Sequence, residues 1–308
     1  MDGFIVIDKP QGITSHGVVS AVRRAAGQKK VGHTGTLDPF ATGVLPVALG
    51  EGTKAIPYLD EGRKRYRAVM RLGTATDTQD CMGQAVSHGD WRSVTDGEVK
   101  RVAARFCGEL LQTPPMFSAL KRDGVPLYRL ARKGEEVERQ ARPIEVHELR
   151  IDGIALPDVT FTVVCSRGTY VRTLAHDMGE QLGCGAHLVE LRRLASGPFS
   201  LDSAITLDAL REVDGPEALE RLLISPLDAL GHLRELVLTR SGAERVAQGR
   251  DPGSHLENES TYAATSPGAL VRLSFAGRLA AVAEVVADDG DSVRHLRIVR
   301  GFASFPFT

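Results

Sequence analysis

The sequence lacks the patterns that mark metal-binding, disulfide-bonded and membrane-spanning proteins. Its four cysteines are widely separated, with no Cys-x-x-Cys pair, and its nine histidines show no His-Glu-x-x-His spacing, so neither a metal site nor a disulfide framework is predicted. The longest apolar runs, such as VLPVALG at 44–50, are much shorter than the roughly 18 residues of a membrane span. Cys165 and Cys184 lie among apolar residues and are expected to be buried.

A strong net charge is also absent. The formal net charge is −1, which argues against a general binder of polyanions. With 308 residues, of which 42% are apolar and 25% charged, the chain has a globular composition and the length of one large domain plus a smaller one. Its first residues, MDGFIVIDKP, carry Asp2 and Asp8 where a secretory signal would be basic and then uniformly apolar, so a cytoplasmic location is expected.

One segment is locally basic. Residues 62–71, GRKRYRAVMR, contain no acid and a dense set of cations: Arg63, Lys64, Arg65, Arg67 and Arg71. Such local density favours phosphate contacts, because each neutralised phosphate releases counterions. The same residues fit the solvated face of a strand, since residues 66–72 alternate between two faces. On this pattern alone Tyr66 would be a half-buried core tyrosine, and both interpretations stay open.

The hydrophobic periodicity predicts an alternation of strands and helices. Strands are predicted at 4–10, 66–72 and 159–168, and helices at 15–26, 95–110 and 170–181. The helix at 95–110 begins with a capping box formed by Thr95 and Glu98. Residues 121–142 are highly charged and interrupted by glycine and proline, which indicates an excursion from the core. Short alternating runs from Val237 onward indicate a small all-β module.

The segment GHTGTLDPFATG at 32–43 surrounds one carboxylate, Asp38, with glycine, threonine and proline. This composition predicts a shaped loop, because it suits neither a helix nor a buried strand. A carboxylate is a competent nucleophile without a metal, but Asp-Pro is also a turn signal, so a catalytic and a turn-forming Asp38 are equally well supported. Asp60 and Glu61 are further acids along the chain, and a paired general acid is not evident within the loop.

Several ordered motifs resemble the TruB family of tRNA pseudouridine synthases. They are DKPQGITS at 8–15, GHTGTLDPFATGVLPV at 32–47, KRYRA at 64–68, LGTATDTQDCMG at 72–83, TPPMFSALKRDGVPLYRLAR at 113–132 and CSRGTYVRTLAHDMGEQLGCGAHLVELRRL at 165–194. These segments and their surroundings cover about two thirds of the chain. A chance match of this many motifs in the same order is implausible.

The resemblance implies an enzyme, an isomerase that converts uridine-55 in the T-loop of tRNA to pseudouridine without a cofactor or a metal. In such a reaction uracil detaches from C1′ of the ribose, turns, and rejoins through C5. The target base must leave its stack, which requires a few kcal/mol. An aromatic platform recovers about 1–3 kcal/mol per base.

The resemblance also implies roles for individual residues. Asp38 is expected to be the nucleophile, Tyr66 to stack on the flipped base, and Arg172 to pair with Asp38. The other expected substrate-contacting or loop-supporting residues are His33, which enters the T-loop, Tyr170 and Leu191 in the pocket, and Lys9 and Pro10 beneath the active loop. Without the resemblance, each of these side chains has an ordinary structural explanation.

The implied architecture is α+β: a pseudouridine synthase fold with a mixed, mainly antiparallel sheet flanked by helices, plus a small β-barrel PUA-like domain. We expect the catalytic domain at 1–232, with a thumb-like insertion at about 121–142 that closes on the T-arm of tRNA, and the PUA-like RNA-binding domain at 233–308. A monomer is expected. Two alternatives are a catalytically silent tRNA-binding or RNA-folding module and a guide-RNA-dependent relative.

Overall fold

The computed structural model describes residues 1–60, 62–287 and 294–302, and Glu61 therefore lies outside the described residues. The strands of the first part of the chain are β1 (Gly3–Lys9), β2 (Val31–His33), β3 (Thr42–Leu49), β4 (Lys64–Leu72), β5 (Thr74–Thr76), β6 (Ala85–His88), β7 (Gly108–Gln112), β8 (Lys121–Arg122), β9 (Val125–Pro126), β10 (Arg142–Ala155), β11 (Asp158–Cys165), β12 (Ala186–Ser196), β13 (Phe199–Ser200) and β14 (Ala204–Thr206). The remaining described strands are β15 (Arg234–Val237), β16 (Leu270–Phe275), β17 (Arg278–Ala287) and β18 (Arg294–Gly301).

Most helices are short. The described α-helices are α1 (Ser15–Ala25), α2 (Gly52–Ala55), α3 (Asp96–Ala104), α4 (Leu127–Ala131), α5 (Val171–Gln181), α6 (Leu207–Arg211), α7 (Gly215–Glu220), α8 (Pro226–Ala229), α9 (Arg240–Ala247) and α10 (Glu259–Ala263). Among the described residues, none of the helices combines the length and apolar character needed to cross a membrane.

A large mixed sheet forms the centre of the molecule. Its strands lie in the order β14-β1-β3-β12-β4-β11-β10-β7, with β13 paired to β12 and β2 to β3. Of the described strand pairs in this sheet, only β1–β14 and β3–β12 are parallel, so the predicted mixed and mainly antiparallel sheet is confirmed. Helices α1, α3 and α5 pack on this sheet through a shared apolar core. Cys165 and Cys184 are buried, as predicted.

Strand β4 lies near the middle of the sheet, between β11 and β12. Its side chains alternate as the sequence predicted: the face that carries Tyr66 is buried, whereas Arg65, Arg67 and Arg71 on the opposite face are exposed. Lys64 belongs to the buried face and is only 8% exposed. The alternation therefore divides the basic segment: its arginines are exposed to solvent, and Lys64 lies on the buried face of the strand.

The predicted helix at 95–110 is too long. The capping box of Thr95 and Glu98 is present, but α3 ends at Ala104, and residues from Gly108 form the edge strand β7. Gly108 has φ of +96°, a conformation that a helix cannot contain and that glycine adopts most readily. Leu110, which the helical spacing assigned to the same face as Val102, pairs instead with Ile144 of β10.

The C-terminal module contains a separate sheet in the order β15-β16-β17-β18. It is not all-β as predicted, because α9 and α10 lie between β15 and β16. Thr239 caps α9 by accepting a hydrogen bond from the backbone of Gly242, a helix-start signal that the alternating pattern obscured. Residues 288–293 and 303–308 of the predicted PUA-like region lie outside the described residues.

The C-terminal module shares an apolar core with the large sheet. Phe4 and Val6 of β1 belong to the same buried cluster as Leu279, Val282 and Phe302. The Phe4 ring also packs against Phe199, with ring centroids 5.2 Å apart. Buried aromatic and aliphatic area of this kind fixes one part of the chain against the other.

Candidate active site

The loop that carries Asp38 is fixed by the elements before and after it. The backbone N–H of Leu37 donates to Ser15 Oγ at 2.8 Å, and Ser15 Oγ donates to the Leu37 carbonyl at 2.9 Å. Leu37 and Phe40 are 3% and 4% exposed, so apolar anchors hold the chain on both sides of the carboxylate. The Asp38 side chain, in contrast, is 33% exposed. A rigid frame thus presents one acid to an open cavity.

Lys9 holds the same loop from beneath. Its side chain is fully buried, and its ammonium donates to the carbonyls of Pro10, Ile13 and Pro39 at 3.0, 2.8 and 3.3 Å. Burial lowers the pKa of Lys9 to about 8, while the negative charge of Asp38 opposes that shift. Pro10 is exposed and contributes through its carbonyl. Lys9 therefore joins the end of β1 to the residue that follows Asp38.

Arg172 is the principal partner of Asp38. It lies in the first turn of α5, is 3% exposed, and places Nε 3.0 Å from Asp38 Oδ2. Its Nη1 donates to the carbonyl of Thr78 at 2.9 Å, and its Nη2 donates to the carbonyl of Phe117 at 2.8 Å. The planar guanidinium is therefore held in one orientation by groups from three separate segments.

A second carboxylate, Asp80, lies on the other side of Arg172. Its Oδ2 is 3.7 Å from Arg172 Nη1, and its Oδ1 accepts hydrogen bonds from Thr78 Oγ1 at 2.7 Å and from the backbone of Met82 at 2.9 Å. Asp80 is 5% exposed. The sequence prediction missed this residue, although it falls within the motif LGTATDTQDCMG, because nothing local distinguishes a buried acid from one in an exposed turn.

These residues line a cavity of about 370 Å³. Its wall combines five of the predicted site residues, which are Asp38, Tyr66, Tyr170, Arg172 and Leu191. It also includes Lys64, which belongs to the predicted basic segment, and Ser118, which the sequence prediction did not single out. The wall does not include His33, Lys9 or Pro10: His33 is half-buried at the end of β2, and the other two lie under the loop.

Burial dominates the electrostatics of the site. Desolvation raises the pKa of Asp38 above its ordinary value, and Asp80 adds to that rise, while Arg172 and Lys9 lower the pKa. Burial likewise raises the pKa of Tyr66, against the opposing effect of the nearby Arg193 guanidinium. A desolvated carboxylate beside a fixed cation is the arrangement found where proteins tune an acid for chemistry.

Gln112 fixes the start of α5. Its Nε2 donates to the Tyr170 carbonyl at 3.1 Å, and its Oε1 accepts from the Tyr170 backbone N–H at 2.8 Å. Tyr170 is the N-cap of α5 but has no side-chain cap of its own. The Gln112 amide, which is 3% exposed, thus sets the position of the helical turn that carries Arg172.

Among the described residues, no group of three or more histidine, cysteine or acidic side chains is arranged to hold a metal ion. The polar groups of the cavity are instead a carboxylate, Asp38, and a phenol, Tyr66, with cations beside them. This set can supply nucleophilic or proton-transfer steps and can bind an anionic substrate.

Two family models match consecutive parts of the chain. The family model described as "TruB family pseudouridylate synthase (N terminal domain)" matches residues 23–171, and the "tRNA pseudouridylate synthase B C-terminal domain" matches residues 172–242. The chain belongs to the TruB family of pseudouridylate synthases. The predicted family resemblance is therefore confirmed.

Two curated TruB relatives extend the match over almost the whole chain. The tRNA pseudouridine synthase B of Geobacter sulfurreducens is 60% identical over 303 residues, which cover 98% of this chain and 100% of the relative. That of Geotalea uraniireducens is 57% identical over 305 residues, covering 98% of each chain.

Solved structures give the same fold. A chain of the structure titled "Crystal Structure of a Cbf5-Nop10-Gar1 Complex" matches with a TM-score of 0.72 and 29% identity, covering 97% of this chain and 84% of that chain. A chain of "Structure of H/ACA RNP bound to a substrate RNA containing 2'-deoxyuridine" matches with a TM-score of 0.72, 26% identity and the same coverage. The predicted pseudouridine synthase fold is thus confirmed.

Proposed function

We propose that this chain is a tRNA pseudouridine synthase that isomerises uridine-55 of the T-loop, with Asp38 as the nucleophile. The observation that carries the proposal is the placement of Asp38, Arg172 and Tyr66 around one cavity. The identity of 57–60% to curated tRNA pseudouridine synthases B supports the substrate class. An intact acid, cation and phenol in one cavity favour an enzyme over a catalytically silent RNA-binding module.

The charges around the cavity suit an RNA substrate. Five cationic side chains lie at the cavity or under its loop: Lys9, Lys64, Arg167, Arg172 and Arg193. Two carboxylates, Asp38 and Asp80, oppose them. The local excess of positive charge attracts the phosphates that flank a flipped nucleotide, although the chain as a whole carries a net charge of −1.

The reaction needs few groups because it is an isomerisation. The N1–C1′ bond breaks, a C5–C1′ bond forms, the C5 proton leaves, and N1 gains a proton. The carboxylate of Asp38 can bond to C1′, bond to the ring, or remove a proton from the sugar, and each role requires the ionised form. Arg172 keeps that carboxylate aimed, and the ring of Tyr66 supports the flipped base by stacking.

The parts outside the cavity extend the contact with tRNA in this proposal. Within a catalytic domain at 1–232, the β8–β9 hairpin and α4 belong to the thumb-like segment 121–142, which is largely exposed and free to close on the T-arm. A PUA-like domain at 233–308, whose described sheet begins at Arg234, adds a second RNA contact. The chain acts as a monomer in the cytoplasm, where its tRNA substrate is found.

A guide-RNA-dependent activity is the less supported alternative. Cbf5 in the solved complex with Nop10 and Gar1 is 29% identical to this chain, about half the identity of the curated tRNA-modifying relatives. The cavity residues do not distinguish the two activities, so the choice rests on full-length identity.

Tritium release from tRNA transcript labelled at uracil C5 tests the proposal. Purified protein alone is expected to release one tritium per tRNA, and a transcript with cytidine in place of uridine-55 is expected to release none. Equal release from both transcripts would refute the choice of uridine-55. No release from the wild-type transcript, with properly folded protein, would refute the stand-alone activity.

A further inference from the structure

Two adjacent arginines of β12 lie on opposite faces of the large sheet. Arg192 has a side chain that is 40% exposed and forms a two-point ion pair with Asp8, at 3.1 and 2.7 Å. Arg193 is fully buried, and among the described residues it has no carboxylate within 4.0 Å. A buried cation without an anionic partner is unfavourable unless its donors are used elsewhere.

The donors of Arg193 hold the ends of the Asp38 loop. Its Nε donates to the Val44 carbonyl at 2.7 Å, and its Nη2 donates to the Gly35 carbonyl at 3.1 Å. The approach is close: a Cβ on Gly43, whose φ is +100°, would lie 2.2 Å from the backbone oxygen of Arg193. The guanidinium therefore spans the segment that begins before Asp38 and ends in β3.

Arg193 is also the cross-strand neighbour of Tyr66, and both residues are buried. Tyr66 and Arg193 are paired in register across β4 and β12. Burial raises the pKa of the Tyr66 phenol, and the positive charge of the neighbouring Arg193 guanidinium opposes that rise. Arg193 Nη1 is itself buried, with no well-aligned partner among the described residues. One cation thus binds the frame of Asp38 and lies on the strand position next to Tyr66, with one buried N–H group that is not used by the frame.

We propose that Arg193 is a positioning residue that holds the Tyr66 hydroxyl and stabilises its phenolate while Tyr66 removes the C5 proton. The inference rests on the proposed function. The Tyr66 hydroxyl first gives its proton to water, which delivers a proton to N1. The phenolate oxygen then takes the proton from C5, and the C–H electron pair restores the C5–C6 double bond. Tyr66 ends neutral, as it began.

A structural role for Arg193 and a role that acts through the Tyr66 hydroxyl predict different effects on the rate. A structural arginine would affect the rate to the same extent whether or not Tyr66 carries a hydroxyl. An arginine that acts through the hydroxyl loses its effect when the hydroxyl is removed, which is the property that a double-mutant cycle measures.

The experiment compares Arg193→Met with wild type, and the double variant Arg193→Met/Tyr66→Phe with Tyr66→Phe. Single-turnover tritium release and tRNA binding on filters are measured for each protein. Because proton transfer contributes about 10²–10⁴-fold, Arg193→Met is expected to slow release by about 100-fold beside Tyr66 and by less than about threefold beside the phenylalanine. Its affinity for tRNA is expected to stay within about threefold, because binding is spread over many contacts.

Two further variants complete the test. Arg192→Met, an identical change on the opposite face, is expected to alter the rate by less than about twofold, since exposed ion pairs contribute little. Arg193→Lys keeps the positive charge and is expected to restore the rate at least about tenfold over Arg193→Met.

Equal losses in both Tyr66 backgrounds would overturn the proposal, as would a loss confined to tRNA affinity. If Arg193→Met does not unfold cooperatively, Arg193→Lys replaces it in the same cycle. A loss of about tenfold that disappears beside Tyr66→Phe then supports the proposal, and an equal loss in both backgrounds overturns it. A wild-type protein that releases no tritium would instead refute the proposed function.

Discussion

Arg172 and Asp38 form an ion pair in which Nε lies 3.0 Å from Oδ2. The Arg172 side chain is 4% exposed and that of Asp38 is 33% exposed, so the cation is enclosed while the anion faces the cavity. Two backbone carbonyls occupy the other donors of Arg172, which prevents the guanidinium from following a moving substrate. The pair therefore fixes the direction of the carboxylate before RNA binds.

Asp38→Asn is expected to abolish turnover, because the amide cannot act as a nucleophile or a base. Affinity for tRNA is expected to stay within a few fold, since phosphate and shape contacts are spread over the surface. Tritium release and filter binding measure the two effects. Asp208→Asn, on an exposed helix, is the matched control and keeps full activity. Full activity in Asp38→Asn would exclude Asp38 from the chemistry.

Asp38 should also set an acid limit to activity. Since burial raises its pKa, the carboxylate becomes protonated at a pH above the ordinary value of 3.8, and turnover falls as pH decreases through the raised pKa. Single-turnover rates across the acid range, at pH values where the protein remains folded, measure this limit. Product analysis with 5-fluorouridine in the T-loop then distinguishes attack at C1′ from attack on the ring.

Tyr66→Phe is expected to retain stacking but to lose most of the turnover, by about 100-fold or more, if the hydroxyl removes the C5 proton. Binding of tRNA is expected to change little because the aromatic ring remains. The measurement is single-turnover tritium release. A rate equal to that of the wild type would restrict Tyr66 to a stacking platform and would also remove the basis of the Arg193 proposal.

Arg172→Lys preserves the charge but not the geometry. A lysine ammonium cannot reach Asp38, Thr78 and Phe117 together, so at least one buried carbonyl loses its donor. We expect a loss of turnover of more than about tenfold and a decrease in the free energy of unfolding of about 1–3 kcal/mol. Urea unfolding and single-turnover rates test both values. A wild-type rate would show that charge alone suffices.

Lys9 should give the activity an alkaline limit. Its pKa is lowered to about 8, so above this pH the side chain loses its charge near Asp38 and one of the donors that hold the loop. Turnover is expected to decline with a midpoint near that pKa. The variant Lys9→Met is expected to be slower than wild type and to lack this decline at high pH. The control Lys30→Met, which changes a side chain that is 50% exposed, should keep it. The same decline at high pH in all three proteins would show that a group other than Lys9 causes it.

The same pKa predicts that the free energy of unfolding increases with pH over the range in which turnover declines. The unfolded chain keeps the Lys9 proton up to about its ordinary value of 10.5, whereas the folded protein releases it near 8. Between these values the unfolded state binds more protons, so this group makes the free energy of unfolding increase with pH. The Lys9→Met variant should lack this contribution in urea unfolding measured across that range.

Gln112→Leu removes both hydrogen bonds to the Tyr170 backbone while keeping a similar volume. Because a buried backbone donor is left unpaired, we expect the free energy of unfolding to decrease by about 2 kcal/mol. Turnover is expected to fall more than tRNA affinity, since the turn that carries Arg172 loses its anchor. Gln84→Leu, outside this region, serves as the control. Unchanged turnover would show that α5 is held without Gln112.

The sequence predicted those features that depend on local pattern. The helix that begins at Ser15, the capping box at Thr95 and the alternation of β4 each follow from periodicity or capping, and the structure confirms them. The end of α3 was wrong because Phe106 and Leu110 also fit a helical stripe, and only the conformation of Gly108 separates them.

Among the candidate site residues, too, local sequence could identify some but not others. Local pattern could not decide the role of Asp38, and only the family resemblance led us to expect a nucleophile. Asp80, Gln112 and Arg193 were missed because their importance comes from burial against distant segments, and burial is not encoded by neighbours along the chain. Arg192 and Arg193 illustrate the limit: they are adjacent and identical in type, yet one is partly exposed and the other is fully enclosed.

The apolar cluster that joins β1 to the C-terminal module has a consequence for biosynthesis. Phe4 and Val6 leave the ribosome among the first residues, but Leu279 and Val282, which cover them, are made near the end of translation. At about 5–20 residues per second, this face of β1 stays incompletely covered on the order of tens of seconds. It is therefore the surface of the nascent chain that a ribosome-associated chaperone would protect longest.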